Sequence, residues 1–129
     1  MIEGIVLELS LAIVPLELLR DNEETLPVDA VLDTGFTGEL TLAAAQIVEL
    51  GLSSIGTRVA ELANGESVTF DLYAARVLWH GAIRDVSVLH SETQALIGMA
   101  LLENSRLIID VVDKGLVQIE KLPTSKTPD

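Results

Sequence analysis

The segment 28–32 is mostly apolar and runs directly into Asp33, Thr34 and Gly35. Because glycine allows the backbone to turn tightly, this pattern predicts a buried strand that ends at a sharp loop. A carboxylate in such a loop is costly unless it is hydrogen-bonded or paired. Asp33 is therefore a candidate acid or base. The Asp-Thr-Gly tripeptide occurs once in the chain.

The composition favours a mainly β domain. A chain of 129 residues fits one domain with a single core. Hydrophobic residues make up 49% of the chain and aromatic residues only 3%, so the core must be aliphatic. β-Branched residues and frequent turn signals favour strands. We predict one domain over residues 1–122, followed by a disordered tail over 123–129, which is polar and contains two prolines.

The first third of the chain is predicted to deliver Asp33 from a hairpin. Residues 5–19 are predicted to be extended. Pro15 marks an edge or a bulge, because proline cannot donate a hydrogen bond to a ladder. The polar turn 20–24 leads into the strand 25–32, which ends at Asp33.

A short helix is predicted after this loop. Residues 39–42 are predicted as a short strand, and the Ala-rich segment 43–50 as a helix that ends at Gly51. Thr41 is predicted to be the N-cap residue of this helix.

The remaining segments are predicted as strands joined by tight turns. Asn64-Gly65 is the strongest short hairpin signal, and a second turn is predicted at His80-Gly81. A short helix is predicted over 99–103, directly after Leu96-Ile97-Gly98. The last predicted elements are strands over 107–112 and 116–122, which are joined by the turn Asp113-Lys114-Gly115.

Charge and composition exclude several classes of function. Lys and Arg total 8 against 20 Asp and Glu, for a net charge of −12, and the basic residues are scattered singly. No basic stripe could neutralise phosphates, so we expect neither a nucleic-acid partner nor an anionic membrane surface. The apolar segment 2–19 carries three Glu, which are expensive within a membrane span. We expect a soluble cytoplasmic protein.

The side chains that usually support other chemistries are absent or isolated. The chain has no cysteine, which excludes thiolate catalysis, disulfides and Cys-based zinc sites. His80 and His90 are too far apart in sequence to suggest a clustered metal site. The serines lack a nucleophile-elbow motif. We therefore predict neither a metal nor a cofactor.

In this order, the predicted elements resemble the retropepsin-like (retroviral-type) aspartic proteases, in the form of a small prokaryotic single-domain relative. The likeness covers residues 4–122. It depends on two apolar residues before Asp33-Thr34-Gly35 and on the second motif, Leu96-Ile97-Gly98. The resemblance implies a closed β-barrel acid-protease fold with one or two short helices.

The resemblance also implies roles for particular residues. Asp33 would be the catalytic carboxylate, Gly35 the turn residue, and the Thr34 hydroxyl would bond across a two-fold axis to a second subunit. The hairpin at Asn64-Gly65 would be a flap over the substrate. Leu96-Ile97-Gly98 would pack beneath the catalytic loop.

The chain departs from the retroviral pattern near this loop. Phe36 follows the tripeptide, where the viral enzymes have a small residue, and it is predicted to line the substrate cleft. Thr37 and Met99 occupy the positions of an Asp and an Arg that pair in the viral enzymes. Both partners are replaced together, so no orphan charge remains.

The number of catalytic loops predicts the quaternary structure. Two carboxyls that share one proton supply both the base and the acid for peptide hydrolysis. One loop per chain therefore predicts a symmetric homodimer that cleaves extended peptides or proteins. Two alternatives remain: a non-catalytic dimeric binding or assembly module with this fold, and a plain β-barrel in which the tripeptide is coincidental.

Overall fold

A computed structural model describes residues 1–8 and 11–123 of the chain. Apart from Pro123, the predicted disordered tail lies outside the described residues. No helix within these residues is both long enough and apolar enough to cross a membrane.

The described chain forms ten strands and two short helices. In chain order they are β1 (Ile2–Leu7), β2 (Leu11–Leu19), β3 (Thr25–Leu32), β4 (Leu40–Ala43), α1 (Ala44–Leu50), β5 (Ser54–Glu61), β6 (Ser67–Trp79), β7 (Ala82–Ser91), β8 (Ala95–Ile97), α2 (Met99–Leu102), β9 (Ser105–Ile109) and β10 (Leu116–Lys121).

The strands form one mixed sheet that closes on itself. Their order is β5-β6-β7-β4-β8-β3-β2-β1-β10-β9, and an additional contact between Leu18 of β2 and Val77 of β6 joins the two sides into a ring. β5 projects from the ring as a hairpin with β6, and β1, β10 and β9 extend the sheet on the other side. The prediction of a mainly β, closed-barrel fold with short helices is confirmed.

Apart from Trp79, the buried core is aliphatic, as the composition predicts. Along β2 the buried residues Val14, Leu16 and Leu18 alternate with the exposed Pro15 and Glu17, because successive side chains of a strand point to opposite faces. The other fully buried side chains include Leu40, Leu42, Val77, Val88, Ile97, Leu101, Val117 and Ile119.

Pro15 lies at a local edge of the ladder, as predicted. It pairs with Asp29 of β3 on one side. On its other side, the pairing of β1 with β2 reaches only as far as Ile13, and the contact with β6 occurs at Leu18. A residue without an N–H therefore sits where one side of the strand has no partner.

The predicted N-cap of α1 is wrong. Thr41 is a buried residue of β4, where its hydroxyl donates to Gln94 O (3.3 Å) and accepts from Leu96 N–H (2.9 Å). The helix starts later because β4 remains paired with β7 as far as Ala43. Ala43 is the N-cap instead, and its N–H donates to the Gln46 side chain (2.9 Å). Gly51 ends the helix in the left-handed conformation, as predicted.

The predicted hairpin turns are confirmed, whereas β9 is shorter than predicted. Gly65 has φ +85°, and His80 and Gly81 have φ +51° and +79°, as turns of these sequences require. β9 begins at Ser105 and ends at Ile109, because residues 110–115 form a tight turn in which the Val112 N–H donates to Asp110 O (2.8 Å) and the Gly115 N–H donates to Val112 O (2.8 Å).

His80 lies in the turn between β6 and β7, and its surroundings lower its pKa. The main cause is desolvation by burial, followed by the charges of Lys121, the N-terminal ammonium group and Arg84. Its Nε2 lies 2.8 Å from Ser105 Oγ, and its ring stacks edge-on against Trp79. The folded state therefore favours the neutral imidazole.

This shift predicts a measurable pH dependence of stability. Because the folded-state pKa is depressed, the contribution of His80 is fully present above the unfolded value of 6.5 and is lost as the pH falls through the folded-state pKa. His80→Asn keeps a residue that tolerates positive φ. In urea titrations between about pH 7.5 and about pH 5.5, we expect the free energy of unfolding to fall more steeply for the parent than for the variant. Parallel curves would contradict this assignment.

Candidate active site

Asp33 sits where β3 leaves the sheet. β3 runs parallel to β8 up to the pair Leu32 and Ile97, and the Asp33 N–H then donates to Ile97 O (2.9 Å). The side chain is half-buried. Its Oδ1 accepts from the Gly35 N–H (2.9 Å), and its backbone carbonyl accepts from the Phe36 N–H (3.1 Å). The loop thus fixes one carboxylate oxygen, while Oδ2 has no hydrogen-bond partner among the described residues.

Gly35 lies in the tight turn that follows Asp33, but this turn does not use a left-handed backbone conformation at Gly35. Gly35 is not among the described glycines with positive φ, which are Gly51, Gly56, Gly65 and Gly81. Instead, a Cβ on Gly35 would lie 3.2 Å from Asp33 Oδ1. The absence of a side chain lets the Asp33 carboxylate fold back onto the Gly35 amide.

The second motif lies directly beside this loop. Ile97 accepts the Asp33 amide, and the Gly98 N–H donates to Glu39 O (3.0 Å). At the start of α2, the Met99 N–H donates to Phe36 O (2.8 Å) and the Ala100 N–H to Gly38 O (3.1 Å). The first N–H groups of a helix have no partners within it, and here the loop after Asp33 supplies carbonyls for them.

Phe36 packs over two glycines. A Cβ added to Gly38 or to Gly98 would lie 2.5 Å from the Phe36 ring. The half-buried ring therefore fills the space that these residues leave open. Phe36 also lines the neighbouring cleft.

A cleft of about 690 Å³ lies between this loop and the β5–β6 hairpin. Its walls come from the loop, the facing strands of the hairpin and the end of β7. The lining residues are Gly35, Phe36, Thr37, Thr41, Arg58, Ala60, Leu62, Val68, Thr69, Phe70, Asp71, Tyr73, Leu89, His90, Ser91 and Glu92. Asp33 is not among them, although the cleft begins two residues after it.

The hairpin contributes its strands to the cleft and not its tip. Asn64 and Gly65, which were predicted as flap residues, form the exposed turn: the Gly65 N–H donates to Leu62 O (2.9 Å) and the Asn64 side chain accepts the Glu66 N–H (3.0 Å). Neither Asn64 nor Gly65 lines the cleft.

The residues of the hairpin that face the cleft were not predicted from the sequence. Arg58 pairs with Phe70 and Ala60 with Val68, so these four side chains share one face. On β6 the alternation of the apolar Val68 and Phe70 with the polar Thr69 and Asp71 was a usable signal. β5 shows no such alternation, because Arg58 lines the cleft and the apolar Val59 does not.

Within residues 1–8 and 11–123, no three His, Asp or Glu side chains are placed so that they could hold a metal ion together. His90 lies at the cleft, whereas His80 lies at the turn between β6 and β7.

Comparisons with solved structures find foamy viral proteins among the chains of similar fold. No protein-family profile matches the chain, and no curated protein matches it. The solution structure of Simian Foamy Virus (mac) protease is 20% identical with a TM-score of 0.47, over 68% of this chain and 90% of that one. The foamy viral protease-reverse transcriptase in complex with an RNA/DNA hybrid is 15% identical with a TM-score of 0.48, over 68% of this chain and 11% of that one. This chain thus corresponds to a small part of that longer protein, and the narrower likeness to small prokaryotic relatives stays a prediction.

Proposed function

We propose that this protein is an aspartic endopeptidase that acts as a homodimer. The observation that carries the proposal is the geometry of the loop: Asp33 is held half-buried by its own turn and by Ile97 of the second motif, beside a cleft bounded by a β hairpin. This arrangement holds a carboxylate two residues before the first residue that lines the cleft.

The chemistry requires two carboxyls. Two carboxyl groups about 3 Å apart cannot both ionise, so they share one proton. The ionised carboxyl takes a proton from water, which attacks the peptide carbonyl, and the protonated carboxyl donates to the leaving nitrogen. Each chain supplies one Asp33, so the second comes from a second copy of the chain across a two-fold axis. The free Oδ2 of Asp33 and the exposed Thr34 leave room for such a neighbour.

The substrate in this proposal is an extended peptide. Apolar side chains of the hairpin and of β7, including Leu62, Phe70 and Leu89, form much of the cleft. An extended peptide would bind there through main-chain hydrogen bonds, with alternate side chains in these apolar pockets.

One observation favours a second candidate function, a non-catalytic dimeric binding module. Asp33 does not line the cleft of the single chain, whereas Phe36 does. A protein that only binds peptides would need the cleft and the Phe36 wall, and would keep Asp33 for its hydrogen bond to the Gly35 amide.

Removal of the Asp33 carboxyl separates the two functions. We expect the parent to cleave a denatured protein at acidic pH, and Asp33→Asn to lose about 10²- to 10⁴-fold or more of that activity, because an amide can neither accept nor share the proton. The matched control is Asp29→Asn, an exposed residue of the same strand, which should retain the parent's rate.

Three outcomes of this assay are informative. Equal cleavage by the parent and by Asp33→Asn would exclude the proposed mechanism. A folded dimer that binds a denatured protein without cleaving it would favour the binding module. A protein that sediments as a monomer throughout would contradict both, because each requires a second copy.

A further inference from the structure

Glu39 directly follows the Asp33 loop, and its side chain has three hydrogen-bond partners. Oε2 accepts from Arg84 Nη2 (3.1 Å), while Oε1 accepts from the Ser87 N–H (2.8 Å) and the Ser87 hydroxyl (3.0 Å). Only 22% of the side chain is exposed. The carboxylate therefore ties the end of the loop to β7.

Arg84 extends this connection to α2. Its Nη1 donates to Leu101 O (3.2 Å), and its Nη2 donates to Ala100 O (3.3 Å) as well as to Glu39. The carbonyls of the last turn of a helix have no partners within the helix. The planar guanidinium of Arg84 binds two of these carbonyls and a carboxylate at once.

Together these contacts close a ring around the loop. The N–H groups of Gly98, Met99 and Ala100 donate to the carbonyls of Glu39, Phe36 and Gly38. The carbonyls of Ala100 and Leu101 accept from Arg84, which also donates to the Glu39 carboxylate. The segment after Asp33 is therefore fixed at both ends of α2. Thr37 and Met99 carry no charge, so they add no ion pair to this ring.

The Glu39–Arg84 pair differs from the other Arg–carboxylate ion pairs of the described chain. In the pairs Arg20–Glu49, Arg76–Glu23 and Arg106–Glu120, at least one side chain is more than half exposed. Exposed pairs of this kind contribute little. Glu39 and Arg84 are 22% and 34% exposed and share further hydrogen bonds with the backbone.

We infer that Glu39 and Arg84 are positioning residues that hold the Asp33 loop against α2. The inference rests on the proposed function in so far as it concerns catalysis. Neither side chain contacts the reacting atoms. They restrict the movement of the segment that follows Asp33. This restriction matters for catalysis because small displacements of a catalytic group lower the reaction rate.

Amide hydrogen exchange tests the positioning without any assay of activity. Arg84→Met keeps the apolar stem and removes the guanidinium. We expect the amides of Asp33, Met99 and Ala100 to exchange at least about tenfold faster in this variant, while those of the β1–β10 ladder keep the parent's rates. The matched control is Arg106→Met, which breaks an exposed pair and should leave the loop amides unchanged.

Measurements of kcat and KM distinguish a positioning role from a purely structural one. In Arg84→Met we expect kcat to fall about 10- to 100-fold with little change in KM, and Arg84→Lys to restore part of the loss. Glu39→Gln, which keeps the shape of the side chain, should have the same direction of effect.

The possible failures are distinguishable. Unchanged exchange rates at the loop amides, or a uniform rise in exchange rate over the whole chain, would overturn the inference. If Arg84→Met does not fold, the same comparison is made with Arg84→Lys. An inactive parent would contradict the proposed function, and the exchange rates would still decide whether the pair holds the loop.

Discussion

Gly98→Ala is expected to destabilise the protein by about 3 kcal/mol. A Cβ at this position would collide with Gly38 O and would lie 2.8 Å from Phe36 O and 2.5 Å from the Phe36 ring. The two oxygens cannot move aside easily, because they accept hydrogen bonds from Ala100 and Met99. The substitution must therefore separate the Asp33 loop from α2.

This loss would be large for a domain of this size. Domains are stable by about 5–15 kcal/mol, so about 3 kcal/mol is a substantial fraction. We expect the midpoint of thermal unfolding to fall by about 10 °C, and urea unfolding at neutral pH would give the free energy directly.

Gly51→Ala is the matched control for this experiment. Gly51 has φ +69°, but a Cβ there would meet nothing within 4 Å. Its expected cost is therefore only the left-handed backbone strain, about 1 kcal/mol. If Gly98→Ala costs no more than Gly51→Ala, the second motif is not closely packed against the loop.

The features that could be predicted from the sequence are those that depend on residues close to one another in the chain. The turns at Asn64-Gly65 and His80-Gly81, and the end of α1 at Gly51, all follow from residues that tolerate positive φ. Asp33 could also be placed at a strand end, because the apolar run stops at it.

The features that escaped prediction depend on partners that are distant in sequence. Thr41 has the chemistry of an N-cap, but pairing with β7 and the hydrogen bond to Leu96 N–H keep it in a strand. Glu39 and Arg84 lie 45 residues apart, and no local pattern joins them. The same holds for the cleft, because its lining residues come from three separate segments, 35–41, 58–73 and 89–92.

Subunit mixing is expected to show that activity belongs to pairs of chains. Parent protein is unfolded in urea with about a threefold excess of Asp33→Asn, and the mixture is refolded. Random pairing leaves about one quarter of the parent subunits with a parent partner, so the activity per parent subunit should fall to about one quarter. Mixed dimers carry one carboxyl and cannot share a proton between two.

The control for subunit mixing uses the same excess of Asp29→Asn, which keeps Asp33 and lies on the exposed face of β3. Here every dimer has two Asp33 carboxyls, so total activity should rise in proportion to total protein. An activity per parent subunit that does not change on mixing with Asp33→Asn would mean that one chain carries a complete site. That result would contradict the dimeric dyad, because the described residues contain one Asp-Thr-Gly loop and hence one such carboxyl per chain.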